Sequence, residues 1–342
     1  MTKQQSMVNR HVIHILEWPG IGGVESIVLS LANYGRDHLE GFIFFRNGPG
    51  LDSFKRLGRP IIFVEDLLEL EIEQARARLE EFVAAADVLH LHSMYCTPPE
   101  IVFVRGLSKP FLVTLHSGTE LKDVNFPLVC VSKEIAATQA SERFPFVVEN
   151  GIDTGKFAID APDRVDNKVI LIRVCRPERS APAFWNVMNR VLAENLNAEL
   201  WLVGESGSDT DRIRYLGTRQ DVPLLLSRAD IFVYISSNRY LGAHDMNVLE
   251  AMASGLPVVT TNRRGVRQSV SHLETGIMLE PNDENGLVVW LGRLIQDLSL
   301  RRQFGNAGRE RIEKRFTVRR MANEYLAIYD VIFNEWDVEF DV

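Results

Sequence analysis

The sequence predicts an α/β protein built from two doubly wound parallel sheets. Three observations lead there. Apolar runs of strand length alternate with helical patterns along the whole chain, as expected for βαβ units with right-handed crossovers. Several runs are continuously apolar and rich in β-branched or aromatic residues, such as IFVYI at 231–235, which suits strands covered by helices on both faces. Finally, 342 residues suffice for two domains of ordinary size, each with its own core.

In the first half, strands are expected at 11–17, 41–45, 60–64, 88–92, 111–115 and 128–131. The clearest intervening helix is 67–84, rich in Glu, Ala, Leu and Arg. Between the first strand and a helix reaching about Tyr34 lies Trp18-Pro19-Gly20-Ile21-Gly22-Gly23-Val24-Glu25. Glycines in such a turn let backbone approach a ligand closely, although a Gly-Gly pair also marks a simple tight turn. Three histidines sit on or just after strands: His90 and His92 on the fourth, His116 after the fifth. A histidine inside a strand is more often structural, which fits His90, whereas His92 and His116 fall at strand ends where open sheets bind ligands.

A linker with Pro162 and several Asp occupies about 154–167. A second α/β pattern follows, with strands at 168–174 and 199–203, a helix at 183–193, and the turn Gly204-Glu205-Ser206-Gly207. The stretch 229–261 then reads as a buried strand, a polar loop, a helix over about 246–253, a Gly255-Leu256-Pro257 stop and another strand. Gly255 can take the left-handed turn that ends a helix, and Pro257 cannot continue one. The loop 236–247 thus leads from a strand's carboxyl end to a helix N-terminus, a place suited to anionic or hydroxyl-rich ligands. Helices at 284–297, 300–315 and 318–336 complete the pattern. Asp209-Thr210-Asp211 has the Asp-x-Asp spacing of some metal sites, but its position after a glycine turn is read as the cap of a following helix.

Composition narrows the function. A net charge of −8 argues against nucleic acid, which calls for a basic patch or stripe, and leaves peripheral membrane contact through a local patch open. Three cysteines, Cys96, Cys130 and Cys175, form neither a zinc spacing nor a disulfide framework, so a reducing cytoplasm is expected. The polar stretch 1–10 lacks a signal-peptide core. No apolar run approaches the roughly 20 residues of a membrane span.

Glu250-Ala251-Met252-Ala253-Ser254-Gly255-Leu256-Pro257-Val258-Val259 resembles the second half of the donor-binding signature of retaining glycosyltransferases of family 4, which have the GT-B fold. Further motifs similar to that family are Gly22-Gly23-x-Glu25, Val131-Ser132, Glu149-Asn150-Gly151-Ile152-Asp153 with Phe157, Tyr215-Leu216-Gly217 and Gly276-Ile277-Met278-Leu279-Glu280-Pro281. The resemblance implies two Rossmann-like domains, 1–157 and 166–317, facing a cleft, with 318–342 a helix returning to the first. It implies a sugar transferred with retention from a nucleotide-diphosphate donor to a glycan, lipid-linked or small-molecule acceptor. No cofactor and no metal are called for, because basic side chains would take the diphosphate.

Residue by residue, the resemblance assigns the sugar-positioning role to His116 and the ribose hydroxyls to Glu250. Gly22, Gly23 and Gly204 belong to turns against the donor. Arg176 aligns with the family's phosphate-binding arginine. The family's lysine position is Ala181 here, and Arg179 is the nearest replacement. A guanidinium can grip phosphate with two hydrogen bonds. The family's first glutamate is replaced by Gly242, which leaves His244, Asp245, Met246 and Asn247 to meet the sugar, by side chain or by backbone N–H. After Pro-Val-Val the family's Gly-Gly-x-x-Glu is Arg264-Gly265-Val266-Arg267-Gln268. A same-fold nucleotide-sugar epimerase is a second reading, and the departures at Gly242, Ala181 and Gln268 keep a third in view, a homologue that binds a nucleotide or partner without turnover.

Overall fold

The computed structural model describes residues 10–122, 124–139, 145–159, 167–179, 181–236 and 244–339. The chain forms two compact units. The first comprises Met1–Gly151 together with Val318–Val342, and the second Ile152–Thr317.

In the first unit, seven strands form one sheet: β1 Val12–Leu16, β2 Leu39–Phe44, β3 Ile61–Phe63, β4 Val88–Ser93, β5 Phe111–Leu115, β6 Leu128–Cys130 and β7 Phe146–Val147. They pair in parallel in the order β3-β2-β1-β4-β5-β6-β7. Every residue of β1, β4 and β5 is buried, as expected of central strands in a two-sided sheet. Helix Gly23–Tyr34 turns Ile27, Val28, Leu31 and Ala32 inward. It packs against helix Val318–Glu339, which also lies on β4 and β5.

In the second unit, β8 Val169–Val174, β9 Ala198–Val203, β10 Ile213–Gly217, β11 Ile231–Tyr234, β12 Val258–Thr261 and β13 Gly276–Leu279 make a second parallel sheet. Its order is β10-β9-β8-β11-β12-β13. Leu171, Ile231, Val233 and Val259 meet Phe184, Met188, Leu287 and Leu291 from the covering helices in one fully buried core. In each sheet the strand order reverses at the strand that opens the unit, β1 beside β4 and β8 beside β11. Ligands of open α/β sheets bind beyond the carboxyl ends of strands at such reversals.

Three expectations need correction. The helix expected over 67–84 is two helices, Val64–Leu67 and Ile72–Val83. At the break Leu68 and Ile72 lie more than four-fifths exposed, so no apolar face holds a continuous helix there. Asp209 does not cap a helix. It precedes β10 and accepts from Tyr215 N at 2.9 Å and Arg214 Nη1 at 3.3 Å, pinning the start of that strand. Residues 152–157, grouped by sequence with the first domain, belong to the second unit. There Ile152 N donates to Phe316 O at 2.8 Å, and the turn Thr154–Phe157 packs on helices Val222–Ser227 and Met246–Ala253.

Candidate active site

At the reversal of the second sheet, the carboxyl ends of β8 and β11 carry most of the predicted donor residues. The chain leaving β8 passes through Cys175 and exposed Arg176 into a tight turn, Pro177–Arg179. Two bonds lace that turn to the end of β11. Ser236 Oγ donates to Arg179 O at 2.7 Å, and Ala181 N donates to Ile235 O at 3.2 Å. Buried Ala181 offers nothing to a phosphate, whereas Arg176 and half-buried Arg179 sit on the turn itself. Gly204, at the end of β9, has φ +91°, and a Cβ there would lie 2.7 Å from Cys175 O. Only glycine lets the two loops approach this closely. Neighbouring Arg173 is not available to a ligand: it is buried, ion-paired to Glu205 and stacked 4.3 Å over the Phe184 ring.

The helix Met246–Ala253 begins beside this turn because Asn247 Nδ2 donates to Val174 O at 2.7 Å. No side chain caps the helix start. The N–H groups of Met246 and Asn247 therefore precede the intrahelical ladder and carry the helix's partial positive charge. Asp245, just before the helix, is itself buried, and its carboxylate is spoken for. Arg263 Nη2 donates to Oδ2 at 2.6 Å, Tyr234 Oη to Oδ1 at 3.3 Å, and Arg179 Nη1 lies 3.7 Å from Oδ1. Arg263 Nη1 also reaches Ser236 Oγ at 2.5 Å. Burial and the Asp245 carboxylate push the Tyr234 phenol up to about 12. His244 is buried too, with Nε2 2.9 Å from Ser269 Oγ and its ring edge-on to Phe316. Gly242 lies outside the described residues.

Glu250 contrasts with Asp245. It stands one turn into the same helix, and its carboxylate has no hydrogen-bond partner among the described residues. Desolvation raises its pKa to about 7, against the pull of the Lys156 ammonium. When ionised, such a carboxylate offers two acceptor oxygens to hydroxyl donors.

The remaining predicted residues belong to the first unit. Gly22 precedes helix Gly23–Tyr34, and the Glu25 carboxylate folds back over Gly20 and Gly22, 2.7 and 2.9 Å from where a Cβ would stand on each. The loop is also braced by Gly50 N, which donates to Pro19 O at 2.7 Å. His116, just beyond β5, is buried with Nε2 3.1 Å from His92 Nδ1. His92 Nε2 in turn lies 2.9 Å from His14 Nδ1. His90 keeps the structural part expected of it, with Nδ1 2.7 Å from Tyr329 Oη and Nε2 2.7 Å from Thr114 Oγ1. Burial holds all four rings neutral at pH 7. His14 and His116 are lowered to about 3, and His90 and His92 lie well below the usual range.

Comparison with solved structures decides the architecture. The crystal structure of Anabaena Alr3699/HepE in complex with UDP superposes with a TM-score of 0.75 over 94% of this chain and 100% of that one, at 16% identity. The fold is GT-B. Within it, residues 168–297 of this GT-B chain match the family model for glycosyl transferases group 1. N-acetyl-alpha-D-glucosaminyl L-malate synthase of Bacillus anthracis is 28% identical over 165 residues, 48% of this chain and 38% of that protein. The lipopolysaccharide core biosynthesis glycosyltransferase LpsD of Rhizobium meliloti is 29% identical over 154 residues, 41% of this chain and 44% of that protein. The chain thus spans less than half the length of these curated relatives.

Sequence reasoning missed Arg263, Tyr234 and Ser236, the partners that occupy Asp245 and the Arg179 turn. The signal for Arg263 was available. It stands two residues beyond β12, at the carboxyl edge of a parallel strand, where a charged side chain faces the sheet's ligand-binding end.

Proposed function

We propose that this GT-B protein is a glycosyltransferase that moves a sugar from a nucleotide-diphosphate donor to a glycan, lipid-linked or small-molecule acceptor with retention and without a divalent metal. The observation that carries the reading is the half-buried carboxylate of Glu250, which has no hydrogen-bond partner among the described residues, in a helix whose N-terminal N–H groups have no side-chain cap. Ionised Glu250 accepts both ribose hydroxyls. The N–H groups of Met246 and Asn247 hold sugar hydroxyls, with His244 and Asp245 shaping the loop behind them. Arg176 and Arg179 take the diphosphate charge that develops as the glycosidic bond breaks. Gly22, Gly23 and Gly204 keep backbone close to the donor, and His116 positions the transferred sugar. As the glycosidic bond breaks, the leaving phosphate oxygen accepts the acceptor hydroxyl's proton, and the acceptor oxygen bonds the anomeric carbon on the same face. No protein nucleophile is required.

One observation favours binding without turnover as the second reading. Asp245, the acidic residue nearest in sequence to the missing family glutamate, is almost wholly buried and held through both oxygens by Arg263 and Tyr234. A panel of nucleotide sugars, beginning with UDP-sugars because the Anabaena relative is complexed with UDP, separates the readings. Nucleotide release stimulated by an acceptor is the expected result. Binding with no release supports the second reading, and interconversion of sugars without release supports an epimerase.

A further inference from the structure

Four buried histidines lie on or beside three adjacent strands of the first sheet, and the registers explain how they meet. His14 on β1 pairs with His90 on β4, Leu16 with His92, and His92 with Thr114 on β5, two residues before His116. One ring nitrogen from each of His14, His90 and His92 comes within 4.8 Å of the others, close enough to suggest a metal. Their hydrogen bonds argue otherwise. His14 Nδ1 and His92 Nε2 face each other at 2.9 Å, and both nitrogens of His90 are taken by Tyr329 and Thr114. An ion would have to break these bonds.

The array instead makes a line, His14–His92–His116. A neutral imidazole has one N–H and one bare nitrogen. His92 uses both of its nitrogens within the line, Nε2 toward His14 Nδ1 and Nδ1 toward His116 Nε2. If His92 carries its proton on Nδ1, it donates to His116 Nε2, so His116 must be protonated on Nδ1. His92 Nε2 is then bare and must accept from His14 Nδ1–H. If His92 is protonated on Nε2, every proton in the line sits on Nε2. Mixed arrangements set two N–H groups, or two lone pairs, against each other in a buried site. Among the described residues the outer nitrogens, His14 Nε2 and His116 Nδ1, bond to nothing. His14 borders a water-sized cavity of about 10 Å³ lined also by Leu31, His38, Leu39 and Tyr329.

We infer that His14, His92 and His116 switch tautomer as one unit, so that His92 and His14 are positioning residues that decide whether His116 presents a hydrogen-bond donor or an acceptor at its open Nδ1. The desolvation that keeps these rings neutral is what makes a tautomer, not a charge, the quantity passed along. The consequence for catalysis rests on the proposed role of His116 at the sugar. The coupling itself does not.

The test uses the full chain labelled with 15N-histidine, its ring signals assigned with single-histidine variants, in long-range 1H–15N correlation at pH 7. The expected result is one tautomer shared by His14, His92 and His116. Opposite tautomers at His92 and His116, or an imidazolium at any of the three, would overturn the inference. His92→Phe keeps a ring and removes both nitrogens, so the His116 tautomer ratio should shift and lose its agreement with His14. An unchanged His116 signal in a folded His92→Phe protein would also overturn it. If that variant does not fold, the native spectrum decides alone. Coupled tautomers in a protein that transfers no sugar would refute the transferase reading and leave the coupling standing, and the opposite pair of results would do the reverse.

Discussion

Removing the Arg263 guanidinium should expose how the start of helix Met246–Ala253 is held. Arg263 and Asp245 are both almost wholly buried, with side-chain exposures of 3% and 1%, and meet at 2.6 Å. Arg263→Met keeps the aliphatic stem and leaves Asp245 as a buried carboxylate with Tyr234 at 3.3 Å and Arg179 at 3.7 Å. Breaking one partner of a buried pair costs about 3–5 kcal/mol. The two surviving neighbours put this case near the lower end, at about 3 kcal/mol. For a unit of this size each kcal/mol moves a melting midpoint by roughly 2–4 °C, so a fall of about 6–12 °C is expected. Asp245→Asn in the same background removes the stranded charge. The double variant should be more stable than the sum of the singles by about 2 kcal/mol. Urea titrations followed by tryptophan fluorescence read this transition, because Trp185, Trp201 and Trp290 all lie in the second unit. An Arg263→Met protein within about 1 kcal/mol of the parent, or a strictly additive cycle, would refute the account of Asp245 as an internal anchor.

Three more outcomes are expected. Glu250, with its pKa raised to about 7, binds its proton more tightly folded than unfolded. Its contribution therefore favours the fold below about pH 4.5 and is lost as pH rises toward and past 7, by up to about 3 kcal/mol. Nucleotide affinity should rise over the same window, because the ionised form accepts two hydroxyls, and Glu250→Gln should bind roughly tenfold or more weakly with the pH dependence gone. A flat pH profile of affinity in the parent would count against the ribose contact. Gly204→Ala meets both a φ of +91° and the Cys175 carbonyl. It should destabilise by about 2–4 kcal/mol in chemical denaturation and weaken donor binding through the displaced Arg176 turn. Activity should survive EDTA and Asp209→Ala, since the Asp209 carboxylate serves the start of β10. Loss in EDTA restored by manganese would count against a metal-free site.

The fold was legible because its signals are local. Continuous apolar strands, the Gly255 stop and the alternation of elements each follow from a few neighbouring residues, whereas the edge strand β7, two half-buried residues long, carries no apolar run and was not foreseen. Glu250 was legible through the motif around it. Asp245 was located but not understood, because its environment is set by Arg263 and Tyr234, brought in from two other strands. The same holds for the histidines. His92 and His116 could be placed at strand ends from sequence. That His14 completes a line with them depends on β1 lying beside β4, a pairing between segments more than 70 residues apart. The helix expected at 67–84 failed for a related reason. Composition favoured it throughout, but at Leu68 and Ile72 no core face was present to hold it.

The split of the first unit across the chain has a consequence for the order in which the protein can fold. His90 is completed by Tyr329, 239 positions later, and Thr114 by Tyr325. During synthesis the first sheet must therefore wait, its β4–β5 face uncovered and His90 and Thr114 lacking their tyrosine partners, until residues 318–339 have been made. The second unit, Ile152–Thr317, is continuous and has all its strands before that helix exists. This inverts the usual amino-terminal-first sequence of domain folding. It also makes the uncovered face of the first sheet the surface that a nascent chain must keep from aggregating.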